Sequence, residues 1–355
     1  MFSHLGLPAL LGVFALAAAV VWVAGIHLSR TTDVLDSRMH LGEALGGLIL
    51  LAITTNLPEI AITINAARQH ALGLAIGNIL GGIAVQTVVL VLLDIWGLGK
   101  KDALTYRAAS LELVLEGVLV GAVLVVVIMG SQVPASMHFA RMTPASIAIT
   151  VIWVVGVWLL GKARKGLPWH EQGQAPDNQH TGQDTKAQQQ KKDENKKGTG
   201  IIVAVFAAAA LATLAAGTVL AQTGEQIAVH IHMTGVLFGA TVLAGVTSLP
   251  ELSTGLASVK AGDYQLAFSD IFGGNAFLPV LFLLADLVSG EAVLPQAQKS
   301  DLYLTGLGVL LTAIYIYGLI FRPKRQIARM GLDSLIVLLV YALSMVGLAL
   351  LPRGH

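Results

Sequence analysis

The sequence predicts an all-α polytopic membrane protein of ten transmembrane helices, arranged as two inverted five-helix repeats with helices 2 and 7 broken. Three observations carry this. Of 355 residues 55% are hydrophobic and only 12% charged, with a mean hydropathy of +0.74. Apolar runs of about 20 residues, enough to cross a ~30 Å hydrocarbon core, recur along the chain. A shift of 192 positions lays one half on the other without a gap, and both copies carry a proline and a glutamate inside an apolar run.

The spans are expected at 8–29, 41–67, 71–97, 107–130, 144–161, 200–222, 234–259, 264–289, 301–321 and 331–351. The first has no basic residue ahead of it and no small-residue cleavage site followed by a soluble segment, so it reads as a membrane helix. Between spans five and six, residues 162–198 are rich in Gln, Lys, Asp and Asn and nearly free of aliphatics. Such a composition cannot bury enough surface to fold, so a disordered linker is expected between a first half at 1–161 and a second at 199–355. With the N-terminus outside, 18 of the 22 basic residues fall on the inner side and Arg68, Arg141, Lys299 and Arg353 on the outer. The positive-inside rule thus predicts an outer N-terminus, a cytoplasmic linker and an outer C-terminus.

The repeats occupy 42–94 and 234–286 and pair Gly47 with Gly239, Ala52 with Ala244, Thr55 with Thr247, Leu57-Pro58-Glu59 with Leu249-Pro250-Glu251, Gly81-Gly82 with Gly273-Gly274, and Asp94 with Asp286. Scattered Leu and Ala matches arise by chance between apolar helices; a shared T-x-L-P-E followed at fixed spacing by Gly-Gly does not. Five spans per half, an odd number, turn the second half upside down relative to the first, the outline of an inverted-repeat transporter.

Proline removes the N–H that would bond the carbonyl four residues back, freeing the oxygens of Thr54 and Val246. Irregular backbone at membrane depth persists only inside protein or along a cavity. A mid-span carboxylate has to be paired, protonated or cation-bound. Thr55 shares a helix face with Glu59, and Thr247 with Glu251. Antiparallel halves would bring both glutamates to a common midplane among hydroxyls and freed carbonyls, an all-oxygen, dianionic surrounding of the kind a hard cation such as Ca²⁺ requires.

These segments resemble the α-repeats of the calcium/cation antiporter superfamily, the sodium/calcium exchangers, in which a G-T-S-x-P-E segment is followed by G-S-N. The likeness spans nearly the whole chain and fits a divergent prokaryotic member. It implies Glu59 and Glu251 as central metal ligands, the Thr55 and Thr247 hydroxyls beside them, and backbone carbonyls from Ala52 and Ala244. Asn56 and Ser248 fill the remaining position of each T-S pair. The departures are specific. The G-S-N segment is Gly81-Gly82-Ile83 in one half and Gly273-Gly274-Asn275 in the other, so both serine hydroxyls are missing. The later polar position is Gln86 in one half and Leu278 in the other, and Asp270 stands where Asn78 stands in the first repeat. Gln86, Asn78, Asn275 and Asp270 are candidates for further ligands or for interhelical hydrogen bonds. Fewer oxygens imply fewer bound ions than in a multi-sodium exchanger. Asn56-x-x-Glu59 is also similar to the G-N-x-x-E motif of cation/proton exchangers, which keeps proton coupling open.

The expected function is secondary antiport of Ca²⁺ or a related cation against Na⁺ or H⁺ by alternating access; a proton-coupled or monovalent cation exchanger with reduced ion sites is the alternative. A channel is disfavoured because two single glutamates form no ring of charges. An enzyme is not expected: the chain has no cysteine, no H-E-x-x-H and no G-x-S-x-G. The expected partners are inorganic cations and the lipid bilayer of a prokaryotic inner membrane, with no cofactor and no nucleic acid. Asp94 and Asp286 are expected near span ends in structural roles, and Glu112 and Glu116 in interfacial pairs near Arg107 or on a proton route.

Overall fold

The structure, a computed structural model, describes residues 2, 4–39, 53–98, 102–163, 166 and 198–350. The expected linker therefore lies almost wholly outside the described residues, as do Ala52, Gly47 and the first part of span two.

The described chain is helical, with one short hairpin. Helices α1 (Leu7–Met39), α2 (Leu57–Arg68) and α3 (Leu72–Leu93, prolonged by a π-turn at Asp94–Leu98) are followed by a short α4 (Leu104–Ala108), α5 (Leu111–Ser131) and α6 (Pro144–Ala163). The second half contains α7 (Thr199–His230), α8 (Gly235–Thr247), α9 (Leu249–Ala261), α10 (Tyr264–Phe277), α11 (Leu281–Ser289) and α12 (Lys299–Phe321). Strands β1 (Gln326–Ile327) and β2 (Met330–Gly331) pair antiparallel before α13 (Leu332–Leu350). Among the described residues, seven helices are long and apolar enough to cross a membrane, and the α8–α9 pair, bent by 41°, is an eighth.

Local chemistry sets the ends. Ser110, Thr234 and Asp263 accept the N–H groups of Leu113, Leu237 and Leu266 at the starts of α5, α8 and α10. Gln298 and Asp301 form a reciprocal capping box on α12. Gly262 and Gly290 take the left-handed conformation that closes α9 and α11. Two helices outrun the hydropathy reading: α1 continues ten residues beyond position 29, and α7 eight beyond 222. Charged and hydroxyl residues end an apolar window without ending a helix; Thr31, for instance, donates back to His27 O at 2.8 Å.

Lipid is as apolar as leucine, so packing between membrane helices relies on close approach and polar contacts. The centre is α3, 83% of whose apolar window is buried, whereas α1 and α7, at 33% and 28%, form a peripheral pair packed on each other. The bare Cα atoms of Gly77 and Gly81 let α3 press against the Val236 and Ala240 backbone of α8; a side chain at either would overlap it. Each peripheral helix also reaches one broken helix, α1 packing on α9 and α7 on α2.

Candidate cation site

Both proline-glutamate segments break their helices in the same way. Asn56 has φ −90°, ψ 16° and Ser248 φ −82°, ψ 1°, each followed by a helix with proline in its first turn. That places Glu59 and Glu251 in the first turns of α2 and α9, where the helix N-terminus favours negative charge.

Both carboxylates are enclosed, at 0% and 1% exposure, and close enough for their charges to act on each other. At hydrogen-bonding geometry neither Glu59 oxygen has a partner among the described residues, although the Thr247 hydroxyl lies beside it. On Glu251, Oε1 receives a long contact of 3.5 Å from Gln86 Nε2, and Oε2 has none. The same Gln86 amide reaches Asn56 Oδ1 at 3.4 Å, and Asn56 Nδ2 reaches Thr55 Oγ1 at 3.5 Å. Gln86 thus ties the first break to the second glutamate.

Thr247 and Ser248 both donate to Ala244 O, at 3.2 and 2.7 Å. Their protons are committed to their own helix, and their oxygen lone pairs remain for a ligand. Asp270 accepts from Thr254 Oγ1 at 2.8 Å and lies close enough to act on Glu251, so a third carboxylate stands beside the pair. Its counterpart Asn78 is fully buried, with neither amide atom hydrogen-bonded among the described residues. Asn275 donates to Thr87 Oγ1 at 3.1 Å across the α10–α3 contact. Thr87 and Thr254 were not among the sequence candidates; Thr254 was legible three residues after Glu251 on the same face, and Thr87 only through its contact with Asn275.

The missing serines have different surroundings. A Cβ on Gly274 would stand 3.1 Å from Asn56 Nδ2 and 3.4 Å from Gln86 Oε1, while one on Gly82 would meet Leu278 Cδ1 at 3.4 Å. Under the 192-residue shift, Gly82–Leu278 and Gly274–Gln86 are the same contact, polar in one half and apolar in the other.

Outside this cluster, Arg107 pairs with Asp102 at 3.2 Å, and Glu116 is buried and accepts from Ser269 at 2.8 Å across the α5–α10 contact. Asp94 and Asp286 are fully buried and accept backbone N–H groups at helix ends.

The model of the sodium/calcium exchanger protein family matches residues 9–162 and 201–350. The inner membrane protein YrbG of Escherichia coli (strain K12) is 24% identical over 257 residues, 72% of each chain. The putative antiporter CaxA of Alkalimonas amylolytica is 26% identical over 290 residues, 80% of this chain and 81% of its own. Among solved structures, the H⁺/Ca²⁺ exchanger CAX superposes with a TM-score of 0.67 at 13% identity, covering 97% of this chain and 82% of its own. The sodium-calcium exchanger NCX_Mj superposes with 0.59 at 16%, covering 98% and 100%. The fold is theirs, and with both halves of the sequence matched by the family model, this chain belongs to the sodium/calcium exchanger protein family.

Proposed function

We propose that the chain is a secondary antiporter that exchanges Ca²⁺ for Na⁺ or H⁺ by alternating access at Glu59 and Glu251. The observation that carries this is two fully enclosed carboxylates, each in the first turn after an equivalent helix break, with neither Glu59 oxygen hydrogen-bonded at standard geometry among the described residues. A buried charge of this kind is tolerated when a cation or proton neutralises it. Thr55, Thr247, Ser248 and Asn56, with backbone oxygens at the breaks, complete an oxygen-only surrounding suited to a hard cation. Asp270, Asn78, Asn275 and Gln86 form its next ring. The exchanged ion and the proton would use the same carboxylates in turn; an empty, charged site would not cross.

The remaining elements of the reading are ten spans in two inverted halves, an outer N-terminus and a cytoplasmic linker. They are supported by the 192-residue register, which relates contacts as well as residues, and by the basic residues on one side. The relatives whose names specify ions couple Ca²⁺ to H⁺ in one case and to sodium in the other, so both gradients belong in the test. ⁴⁵Ca²⁺ uptake into proteoliposomes is measured under an imposed Na⁺ gradient and then an imposed pH gradient, for wild type and Glu251→Gln. Uptake under at least one gradient, lost in Glu251→Gln, is expected. Equal uptake by the variant would reject the two-glutamate site.

A further inference from the structure

Among the described residues, Gln86 is the side chain whose donor reaches Glu251. Both Glu59 oxygens, Glu251 Oε2 and Gln86 Oε1 are without a hydrogen-bond partner among the described residues, as are both amide atoms of Asn78. Into this acceptor-rich space Gln86 extends its NH₂ group, shared between Asn56 Oδ1 and Glu251 Oε1 at 3.4 and 3.5 Å. Both neighbours accept, which fixes the nitrogen on that side. An amide N–H carries partial positive charge, so it does for Glu251 a fraction of what a cation would do. Both contacts are at the long limit of a hydrogen bond, so the amide is placed there without being clamped.

The arrangement is one-sided. The repeat-equivalent of Gln86 is Leu278, whose side chain has no donor, and among the described residues Glu59 has no amide partner. A Cβ at Gly274 would crowd Asn56 Nδ2 at 3.1 Å and touch Gln86 Oε1 at 3.4 Å. Glycine at 274 and glutamine at 86 are therefore neighbours: the Gln86 Oε1 lies 3.4 Å from where a Cβ on Gly274 would stand, while its Nε2 turns to Asn56 and Glu251.

We propose that Gln86 is a specificity-determining residue, its amide occupying as a tethered stand-in the place beside Glu251 where an additional monovalent cation would otherwise sit. The site then takes one cation at a time, seated toward Glu59. This rests on the two-glutamate reading above and adds to it an ion count and a difference between the two acids.

The test is equilibrium ⁴⁵Ca²⁺ binding to the purified full-length protein in detergent, displaced by Na⁺. Gln86→Ala vacates the place, and Na⁺ is expected to displace Ca²⁺ more effectively and more steeply, with a Hill slope approaching about 2 against about 1 or less in wild type. Gln86→Leu, which installs the side chain already present at 278, fills the space without a donor; it is expected to weaken Ca²⁺ binding about tenfold and leave the slope unchanged. If Gln86→Ala fails to fold, Gln86→Ser makes the same vacancy. A vacated place whose Na⁺ sensitivity and slope match wild type overturns the proposal. Unaltered ⁴⁵Ca²⁺ binding by Glu251→Gln would instead overturn the two-glutamate site, whatever Gln86 does.

Discussion

Gly217 of α7 lies directly against Pro58 of α2: a Cβ on it would stand 3.0 Å from Pro58 O and 2.8 Å from Ala61 Cβ. The same contact occurs 192 residues away in each partner, where a Cβ on Gly25 of α1 would fall 2.6 Å from Pro250 Cβ. The peripheral helices thus touch the molecule's two breaks through their backbones, each break meeting the helix of the opposite half where the proline has interrupted the ladder. The two peripheral helices therefore press on the breaks that carry Glu59 and Glu251.

Filling those contacts should displace the two breaks. Proline is rigid and cannot yield by changing rotamer, so Gly25→Val or Gly217→Val forces the backbones apart. The expected loss is about 1–3 kcal/mol of stability, typical of overpacking, with Ca²⁺ exchange falling at least about tenfold per folded molecule. Gly121→Val on α5 is the control, because nothing lies within 4 Å of its added Cβ; both quantities should stay at wild type. Thermal melts in detergent and initial ⁴⁵Ca²⁺ uptake rates check this.

The third carboxylate should act on affinity. Asp270 is held by Thr254 and acts electrostatically on Glu251. Asp270→Asn keeps the shape and copies the residue at 78 in the other half. It should weaken half-saturation by Ca²⁺ about three- to tenfold, roughly 1 kcal/mol, with the maximal rate preserved. Asn78→Asp, adding charge at the repeat-equivalent position, should move half-saturation the opposite way. A fall in maximal rate alone would assign Asp270 to packing.

How much of this was legible depended on whether the signal was local. Pro58 and Pro250 act on their own helix, so the breaks could be read from sequence, and the φ, ψ values of Asn56 and Ser248 agree. The internal repeat made Glu59 and Glu251 equivalent candidates before any coordinates. What could not be read was partnership between distant elements. Nothing near Gln86 in sequence points to Asn56 and Glu251, and nothing near Asp286 points to Thr143, because those distances are closed by the packing of α3 and of the α11–α6 pair. Hydropathy also ended α1 and α7 too early, since a window measures apolarity while a helix needs only backbone hydrogen bonds.

One exposed pair links distant loops and should respond to pH. His70 Nδ1 lies 2.7 Å from Glu291 Oε1, and Gln296 Nε2 donates to Glu291 Oε2 at 2.9 Å. The Gln296 amide first, and His70 second, hold the Glu291 carboxyl below its ordinary value of 4.5. A depressed carboxyl contributes stability above its unfolded value and loses it as pH falls through the lower folded one, so the contribution is complete at neutral pH and disappears below about 4.5. Exposed pairs are weak: His70→Ala should change stability by less than about 1 kcal/mol and leave exchange at pH 7 unaltered. Melting curves of wild type and variant, apart by that small amount at neutral pH, should converge in acid.

The buried aspartates at the ends of the central helices should behave in the opposite manner, structural and large in effect. Asp286 Oδ2 accepts from Ser146 Oγ at 2.7 Å, Thr143 Oγ1 at 2.9 Å and Thr143 N at 3.2 Å, and its Oδ1 accepts from Val293 N at 2.9 Å. One carboxylate therefore caps the start of α6 and the turn after α11. Asp94 does the corresponding work at the end of α3, accepting from Leu104 N at 3.0 Å and Gly331 N at 2.6 Å, and so holds α4 and the β2–α13 junction. Each aspartate fastens the last helix of the opposite half. Asp286→Ala removes four interior hydrogen bonds and leaves Val293 N–H without its acceptor, while Thr143 and Ser146 keep bonds to each other; it should cost about 2–4 kcal/mol, and Asp286→Asn, which keeps one acceptor, about half of that. Asp94 lies eight residues beyond Gln86 on a continuous helical path, about 12 Å at 1.5 Å per residue, too far to ligate the same ion. For both aspartates, uptake normalised to folded protein should stay within about threefold of wild type while the melting temperature drops. A variant that melts normally and has lost exchange would move these residues out of the scaffold and onto the ion path.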